Sequence, residues 1–376
     1  MTRFSSLLAT VKILDDYNEK KQFSTFIITS LEGKQIILSQ EEKAEMSEKC
    51  FSEIFKAGEV LSSLSSYKEK DIIFEYTDQL FAIITYCFDS PRDIPDNILE
   101  ELKAYQLTVE KERFVENEVD HVFDGGHHSK YEMEHLMEVI SPVKDEYQRG
   151  MLYSGMLHYK EKLEAIPRDA KEVLSDYMAA EFKRYLSGDL TEEMADALEV
   201  ACDVCHYVLT DELIALLYEV LKLGRANLSY YAADTLMKAG RQIPDETISV
   251  LAKDLEYARL TYALLRRHKQ DDRFPSEYAS DEYLAKSDMI RWLVYPTELG
   301  EMPEAIEYLG KVKKKDVYFI FRFKSHSKTL DAVSQGEWLI GWASPEGGTF
   351  SNFDLYKNFE QKTVEKTLKY IKRKLL

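Results

Sequence analysis

The 376-residue chain has few cysteines and lacks the glycine-rich motifs of common enzyme classes. Its four cysteines, Cys50, Cys87, Cys202 and Cys205, fall far below the density of a disulfide-stabilised secreted domain, so we expect reduced thiols. Neither a Walker A sequence nor Gly-x-Gly-x-x-Gly occurs, which removes the best support for a nucleotide-dependent enzyme. The Gly-x-Ser-x-Gly elbow of many serine hydrolases is also absent.

Long apolar runs are missing as well. No run approaches the roughly 20 residues that a membrane-spanning helix needs. Residues 1–11 carry one basic side chain, and Lys12 and Asp15 interrupt the segment before the apolar core of a signal peptide is complete. We therefore expect a cytoplasmic protein with no membrane span.

The chain has fewer basic residues than acidic ones. The chain has 49 Lys and Arg against 67 Asp and Glu, for a formal net charge of −18. This charge would repel a phosphate backbone, so we expect no nucleic-acid binding. The same charge would attract a basic protein partner, although an acidic surface that serves solubility alone is the alternative interpretation.

The first part of the chain mixes strand and helix patterns. We expect residues 1–107 to form an α+β domain with a helix over 41–64, where apolar residues recur at helical spacing. Two strand pairs are predicted from β-favouring runs separated by turn residues, one over 23–30 and 34–38 and the other over 71–76 and 80–88.

Residues 108–143 are polar and charged and are broken by Gly125-Gly126 and Ser141-Pro142. This composition is typical of a polar linker or a functional loop. Within it, residues 121–135 hold four of the eight histidines.

Imidazole and carboxylate groups in that segment suit zinc, iron or manganese. Our candidate ligands are Asp124, His128, Glu132 and His135, the last three at i, i+4 and i+7 if the segment is helical. A solvated linker is the alternative, because the His-Glu-x-x-His motif is absent. Acid–base catalysis by the same side chains is a third hypothesis.

A second motif holds two of the cysteines. Cys202-Asp-Val-Cys205-His206 matches the covalent haem-attachment pattern. It lies within an apolar helical stretch, however, and we interpret both cysteines as small core residues. Redox or zinc chemistry is the alternative.

The middle of the chain contains an internal repeat. Leu251-Ala252-Lys253 returns 33 residues later as Leu284-Ala285-Lys286. Four further residues recur after 31 residues: Tyr231, Ala232, Ile243 and Pro244 return as Tyr262, Ala263, Phe274 and Pro275. A period of this length in helical sequence indicates stacked helix pairs. Helices are predicted over most of residues 144–311, separated by breakers such as Pro167, Gly224 and Gly240.

The alternation of helix pairs and the Ala-rich stretch Tyr230–Leu236 resemble the HEAT-type helical repeats over about residues 144–311. The resemblance implies a curved helical stack that is used for protein contacts. It implies no catalytic residues.

The last part of the chain, 312–376, is predicted as a small α+β domain with aromatic strands over 317–323 and 338–343, a further strand over 349–356 and a closing helix over 363–376. Trp338, Trp342 and Phe350 are candidates for a partner or ligand surface, with a core role as the alternative. The closing helix carries a basic face that could touch an anionic lipid or an acidic partner, or could simply be solvated.

Together these patterns predict an α+β multidomain protein in which a central all-α HEAT-like stack, 144–311, is flanked by the small α+β domains 1–107 and 312–376. The expected function is a non-catalytic interaction scaffold or regulatory protein that binds a protein partner, with a basic partner and an immunity-type role as one version. The alternative is a metal-dependent enzyme with its site in 121–135.

Overall fold

In the computed structural model the chain forms two compact units. Unit 1 is Met1–Tyr177 with Leu190–Tyr207, and unit 2 is Met178–Asp189 with Val208–Leu376. The residues that the structure describes are 38–61, 64, 67–87, 100, 103, 105, 109, 113–126, 128–294, 299–313, 317–326, 336–344, 348–355 and 362–374. Most of them are helical, and a small antiparallel sheet lies near the C-terminus, as expected for an α+β protein. The boundaries predicted at 107, 143 and 311 stay predictions.

Helices make up the described part of unit 1. They are α1 (Gln40–Leu61), α2 (Tyr67–Cys87), α3 (Phe114–Asp124), α4 (Lys130–Ile140), α5 (Glu146–His158), α6 (Lys160–Ala165), α7 (Arg168–Leu186) up to Tyr177, and α8 (Glu192–Cys205). The α1 helix packs on α2, α3 packs on α4 and α5, and α5 packs on α8. The predicted helix over 41–64 is thus confirmed in α1.

The strand pair predicted over 71–76 and 80–88 is wrong, because residues 71–76 and 80–87 lie in the single helix α2. Thr77 was part of the supposed turn, but its hydroxyl donates hydrogen bonds to the backbone oxygens of Ile73 and Phe74 within the helix. Ile73, Phe74, Leu80 and Ile84 are all buried, a spacing that fits one face of a helix better than alternation along strands. The strand pair predicted over 23–30 and 34–38 lies outside the described residues except for Leu38, which is in neither a helix nor a strand.

The segment 108–143, which was predicted to be a polar linker or a functional loop, holds the two helices α3 and α4. Short helices are compatible with its polar composition because each needs only one apolar face. Val119, Val122 and Phe123 are buried on α3, and Met133, Leu136, Met137 and Ile140 are buried on α4.

Unit 2 contains five further helices ahead of its sheet: α9 (Asp211–Leu221), α10 (Ala226–Lys238), α11 (Asp245–Lys253), α12 (Ala258–Arg267) and α13 (Asp281–Leu293). Each packs on the next along the chain. The predicted helices from 144 to 295 are confirmed to within a few residues at most ends. Proline and glycine mark these boundaries well, since Pro244 directly precedes α11 and Gly224 and Gly240 take positive φ values after α9 and α10.

Four antiparallel strands follow in chain order: β1 (Ala305–Lys313), β2 (Val317–Lys324), β3 (Trp338–Ser344) and β4 (Gly348–Leu355). The last three strands were predicted, but β1 was not, because 305–311 had been assigned to the helical stack. Most β1 side chains are only partly buried and several are polar, so the strand lacks a strong apolar alternation.

Helices lie on both faces of this sheet. On one face α13 packs on Phe319, Phe321, Phe323, Leu339 and Ala343 through its side chains Ala285, Met289 and Leu293. On the other face α14 (Val364–Lys374) packs through Ile371 and Leu368 on Val312, Ile320, Ile340 and Trp342. Odd-numbered β2 residues therefore face α13, and Ile320 faces α14, as the period of two in a strand requires.

Gly310 stands where the β1–β2 register shifts, and its φ of +147° is a conformation that side chains disfavour. A Cβ there would also lie 2.8 Å from Leu368 Cδ1 on α14. We expect Gly310→Ala to lower the free energy of unfolding by about 2 kcal/mol, combining backbone strain with a forced shift of Leu368. Urea denaturation, monitored by tryptophan fluorescence, measures this loss of stability. Gly188→Ala is the control, because a Cβ at Gly188 meets no atom within 4 Å, and an equal loss in both variants would contradict the expectation.

Candidate functional site

The histidine-rich segment folds as the α3–α4 hairpin, and its proposed ligands have other partners. Asp124 forms an ion pair with Lys162, with 3.2 Å between Oδ1 and Nζ. His135 Nε2 lies 3.9 Å from Oε2 of Glu118. His128 Nε2 is 3.4 Å from the backbone oxygen of Phe123. Among the described residues, which exclude His127, no group of three His, Cys, Asp or Glu side chains is placed to hold a metal ion.

Glu132 closes a capping box at the start of α4. Its carboxylate accepts hydrogen bonds from the backbone N–H and the hydroxyl of Ser129, while the Ser129 hydroxyl accepts from the Glu132 N–H. The sequence Ser129-Lys-Tyr-Glu132 carries this signal, and a helix beginning at Lys130 leaves His128 outside it. His128, Glu132 and His135 therefore do not share one helix face, and the metal site stays a hypothesis.

Cys202 and Cys205 are fully buried in α8. Burial raises the pKa of both thiols well above the usual value, which disfavours the reactive thiolate. The interpretation of these cysteines as core residues is confirmed.

The aromatic candidates separate into different environments. Trp342 is 2% exposed and packs with Ile320 and Ile371 beneath α14, so it belongs to the core and not to a surface. Trp338 is half-buried, with the Arg322 guanidinium 4.6 Å from its ring centroid. Phe350 pairs with Trp342 in the strand register, and its side chain lies outside the described residues.

A repeated acidic feature marks unit 2. The dipeptide Asp-Glu opens three helices, as Asp211-Glu212 in α9, Asp245-Glu246 in α11 and Asp281-Glu282 in α13, at separations of 34 and 36 residues. The helices that carry the dipeptide alternate with α10 and α12, and each of the helices α9–α13 packs on the next along the chain. We call these six residues the acidic edge.

Neighbouring helix pairs are tied together at this edge by equivalent ion pairs. Arg241, in the loop before α11, lies 3.6 Å from Asp211 at the start of α9. Arg273, in the loop before α13, donates from Nε to Asp245 at 3.0 Å and from Nη2 to the backbone oxygen of Ile243 at 2.7 Å. In both cases an arginine in the loop before one helix pairs with the aspartate that opens the helix two places earlier, so the contact recurs after one period.

A third link joins α10 to α12 through a buried carboxylate. Asp234 is 7% exposed and lies 2.6 Å from Lys238 and 3.5 Å from Arg267, the residue 33 positions later. The positive charges of Lys238 and Arg267 compensate the negative charge of Asp234, as a buried carboxylate requires.

The remaining carboxylates of the acidic edge stay available. Glu212 pairs with Lys183, whereas Glu246, Asp281 and Glu282 are exposed and have no cation partner among the described residues. Carboxylates in a first helical turn complement the positive end of the helix dipole, which explains their local stability. Their chemistry suits ion pairs with Lys or Arg of another molecule.

No protein-family model, curated protein or solved structure matches the chain. Function therefore has to be inferred from the chain's own residues. In addition, none of the described helices is both long and apolar enough to cross a membrane.

The sequence contains a signal for the acidic edge that our predictions missed. They used the Leu-Ala-Lys and Tyr-Ala matches, whose residues are mainly core-forming, as Leu251, Ala252, Leu284 and Ala285 illustrate. The Asp-Glu dipeptides recur at a similar period, and each stands directly after Thr, Pro or Ser, residues that commonly precede helices.

Proposed function

We propose that this protein is a non-catalytic interaction scaffold whose HEAT-like stack of helices, α9–α13, holds a basic protein partner through the acidic edge. The observation that carries the proposal is the regular placement of exposed carboxylates at the starts of α9, α11 and α13. Helical arrays of this kind present extended surfaces for partners. A regulatory or immunity-type role, in which the edge neutralises a basic protein, is the specific version that the charge favours.

Two features support a repeat stack as its basis. Each of the helices α9–α13 packs on the next, and the Asp211–Arg241 and Asp245–Arg273 pairs are equivalent contacts one period apart. Such nearest-neighbour links fix the spacing of the carboxylates. A fixed spacing lowers the entropic cost of binding a rigid basic surface.

The charge of the whole chain favours the same partner chemistry. Because this chain has a net charge of −18, it attracts a basic protein before the two make contact. The association rate should fall as salt screens the electrostatic field. The proposed location is the cytoplasm.

The test is affinity capture from a lysate of the source cells with the immobilised full chain. We expect a partner that is retained at 50 mM salt, is released at about 500 mM salt, and is lost at low salt from the variant Glu246→Gln/Glu282→Gln. A drop of at least about tenfold in retained partner is expected, because two charge-assisted contacts disappear.

The matched control is Glu219→Gln/Glu337→Gln, which removes the same charge at exposed positions away from the acidic edge. This variant should retain the partner. Equal capture by all three proteins, or capture that is insensitive to salt, would show that the acidic edge does not bind the partner.

A further inference from the structure

The closing helix α14 carries a stripe of positive charge on a chain that is otherwise strongly acidic. Lys362, just before the helix, and Lys366, Lys369 and Arg373 within it follow the spacing i, i+4, i+7 and i+11. This spacing places the four side chains along one side of the helix. The opposite side, with Leu368 and Ile371, packs on the sheet.

These four cations and Tyr370 line an open cavity of about 490 Å³ on the outer side of α14. A ligand there would lie along one side of the helix and stay partly exposed to solvent. The Lys362 ammonium lies 4.5 Å from the centroid of the Tyr370 ring, so an aromatic surface and a cation share one wall.

The charge in this cavity is only partly compensated. Lys369 pairs with Glu365 at 2.8 Å, a carboxylate on the same helix. Lys366 and Arg373 have no carboxylate partner among the described residues, and both are exposed. Positive charges on one side of a helix repel one another, so a bound anion would relieve an existing strain.

The helix dipole does not account for the whole stripe. Cations in the last turn, such as Arg373, complement the negative end of the helix. Lys366 lies in the first turn and Lys362 precedes it, where a cation opposes the positive end of the dipole. Lys362 is stabilised in part by the Tyr370 ring. Helix stability gives no such reason for a cation at Lys366, whereas an anionic ligand does.

We propose that this cavity binds a small organic molecule that carries at least two phosphate groups. Lys366 and Arg373 are seven residues apart, or about 10 Å along the helix axis, so the cationic groups are spread over a length that several linked phosphates match better than one. A chain of phosphates spans that distance, with Lys369 between its ends. This site is separate from the acidic edge and does not depend on the proposed scaffold function.

A small ligand fits better than a membrane or a nucleic acid. The apolar side of α14 is occupied by the sheet, so the helix has no free apolar face to insert into lipid. A long polyanion would meet the repulsion of the whole chain, whereas a small one is affected mainly by charges within the Debye length of about 8 Å.

The test is isothermal titration calorimetry of the full chain with inorganic tripolyphosphate at 150 mM salt. We expect a Kd below about 100 μM, and binding at least about tenfold weaker for Lys366→Glu and for orthophosphate. Lys372→Glu is the control, because it makes the same charge change at an exposed position of α14 outside the cavity lining. It should change the Kd by less than about threefold. Circular dichroism establishes that both variants are folded.

Several results would overturn the proposal. Tripolyphosphate binding weaker than about 1 mM, or an equal loss in Lys366→Glu and Lys372→Glu, would show that the cavity is not a specific site. Binding of phosphatidylserine vesicles or of an oligothymidylate without binding of tripolyphosphate would assign the stripe to a membrane or a nucleic acid instead.

Discussion

Replacing Phe321 with alanine is expected to lower the free energy of unfolding of unit 2 by about 4 kcal/mol. Phe321 lies on β2, is fully buried, and belongs to the cluster formed with Ala285 and Met289 of α13. Its ring also lies 5.7 Å from that of Tyr308, its cross-strand neighbour on β1. Truncation would thus remove contacts to a helix and to a strand at once and leave a cavity between them.

Tryptophan fluorescence during guanidinium denaturation measures this loss. The three tryptophans of the chain are Trp292 on α13 and Trp338 and Trp342 on β3, so the signal reports on the sheet and its helices. A lower transition midpoint with an unchanged slope is the expected result.

Phe114→Ala is the matched control for Phe321→Ala, since it makes the same chemical change at a side chain that is 52% exposed on α3. We expect it to change the fluorescence transition by less than about 0.5 kcal/mol. A loss below about 1 kcal/mol for Phe321→Ala would mean that the cluster between the sheet and α13 contributes little to stability.

Asp288 is expected to destabilise unit 2 at neutral pH. It lies on α13, where its carboxylate is 19% exposed and 3.4 Å from Arg259 of α12. Burial raises the pKa of this carboxyl to about 6, and the nearby Arg259 and Arg291 only partly offset the effect. Since the pKa in the unfolded chain is near 3.8, the folded state favours the protonated acid.

The sign of the pH dependence follows from these two pKa values. Folded protein binds the Asp288 proton more tightly, so its contribution to stability falls as the pH rises from about 4 to about 6, and the loss is complete above that range. A difference of about 2 units corresponds to at most about 3 kcal/mol. We therefore expect Asp288→Asn to be about 2 kcal/mol more stable than the native sequence at pH 7.5 and equal to it near pH 4.

Urea denaturation at both pH values measures this difference, and the comparison of variant with native protein cancels the titration of all other groups. Asp281→Asn, an exposed residue at the start of the same helix, is the control. It should lose about 0.5 kcal/mol at pH 7.5, because it removes a favourable charge from the first helical turn. An Asp288→Asn variant that is less stable at pH 7.5 would mean that the Arg259 pair outweighs the cost of burial.

Local chemistry made much of the fold predictable. Five of the helices α5–α13 begin directly after proline, threonine or serine, namely α7, α8, α9, α11 and α13, and glycine follows within three residues of the ends of α7, α9 and α10. These residues act within one turn of where they stand. The strands β2 and β3 were predicted because they combine aromatic and β-branched side chains. The strand pair predicted within α2 was wrong because local patterns are ambiguous there. Short apolar runs fit a strand and a buried helix equally well, and the length of the whole apolar segment decides between the two.

The candidate sites were less predictable, since a site depends on which side chains meet. Sequence spacing brought Asp124, His128, Glu132 and His135 together as a possible ligand set, but α4 begins two residues after His128, and the Glu132 side chain caps the helix. Trp342 and Trp338 are four residues apart on one strand, yet one is buried under α14 and the other is partly exposed beside Arg322.

By itself the sequence determined the helical periodicity of the middle of the chain, the strands β2–β4, the excess of negative charge and the core role of Cys202 and Cys205. Only the tertiary structure decided that Arg241 and Arg273 pair with the Asp residues that open α9 and α11, and that α14 packs its apolar side on the sheet and leaves its cations around an open cavity. The physical reason is the difference in range between the two kinds of interaction. Helix signals act between residues three or four apart, whereas a shared edge or a cavity wall depends on packing between elements that are far apart in the sequence.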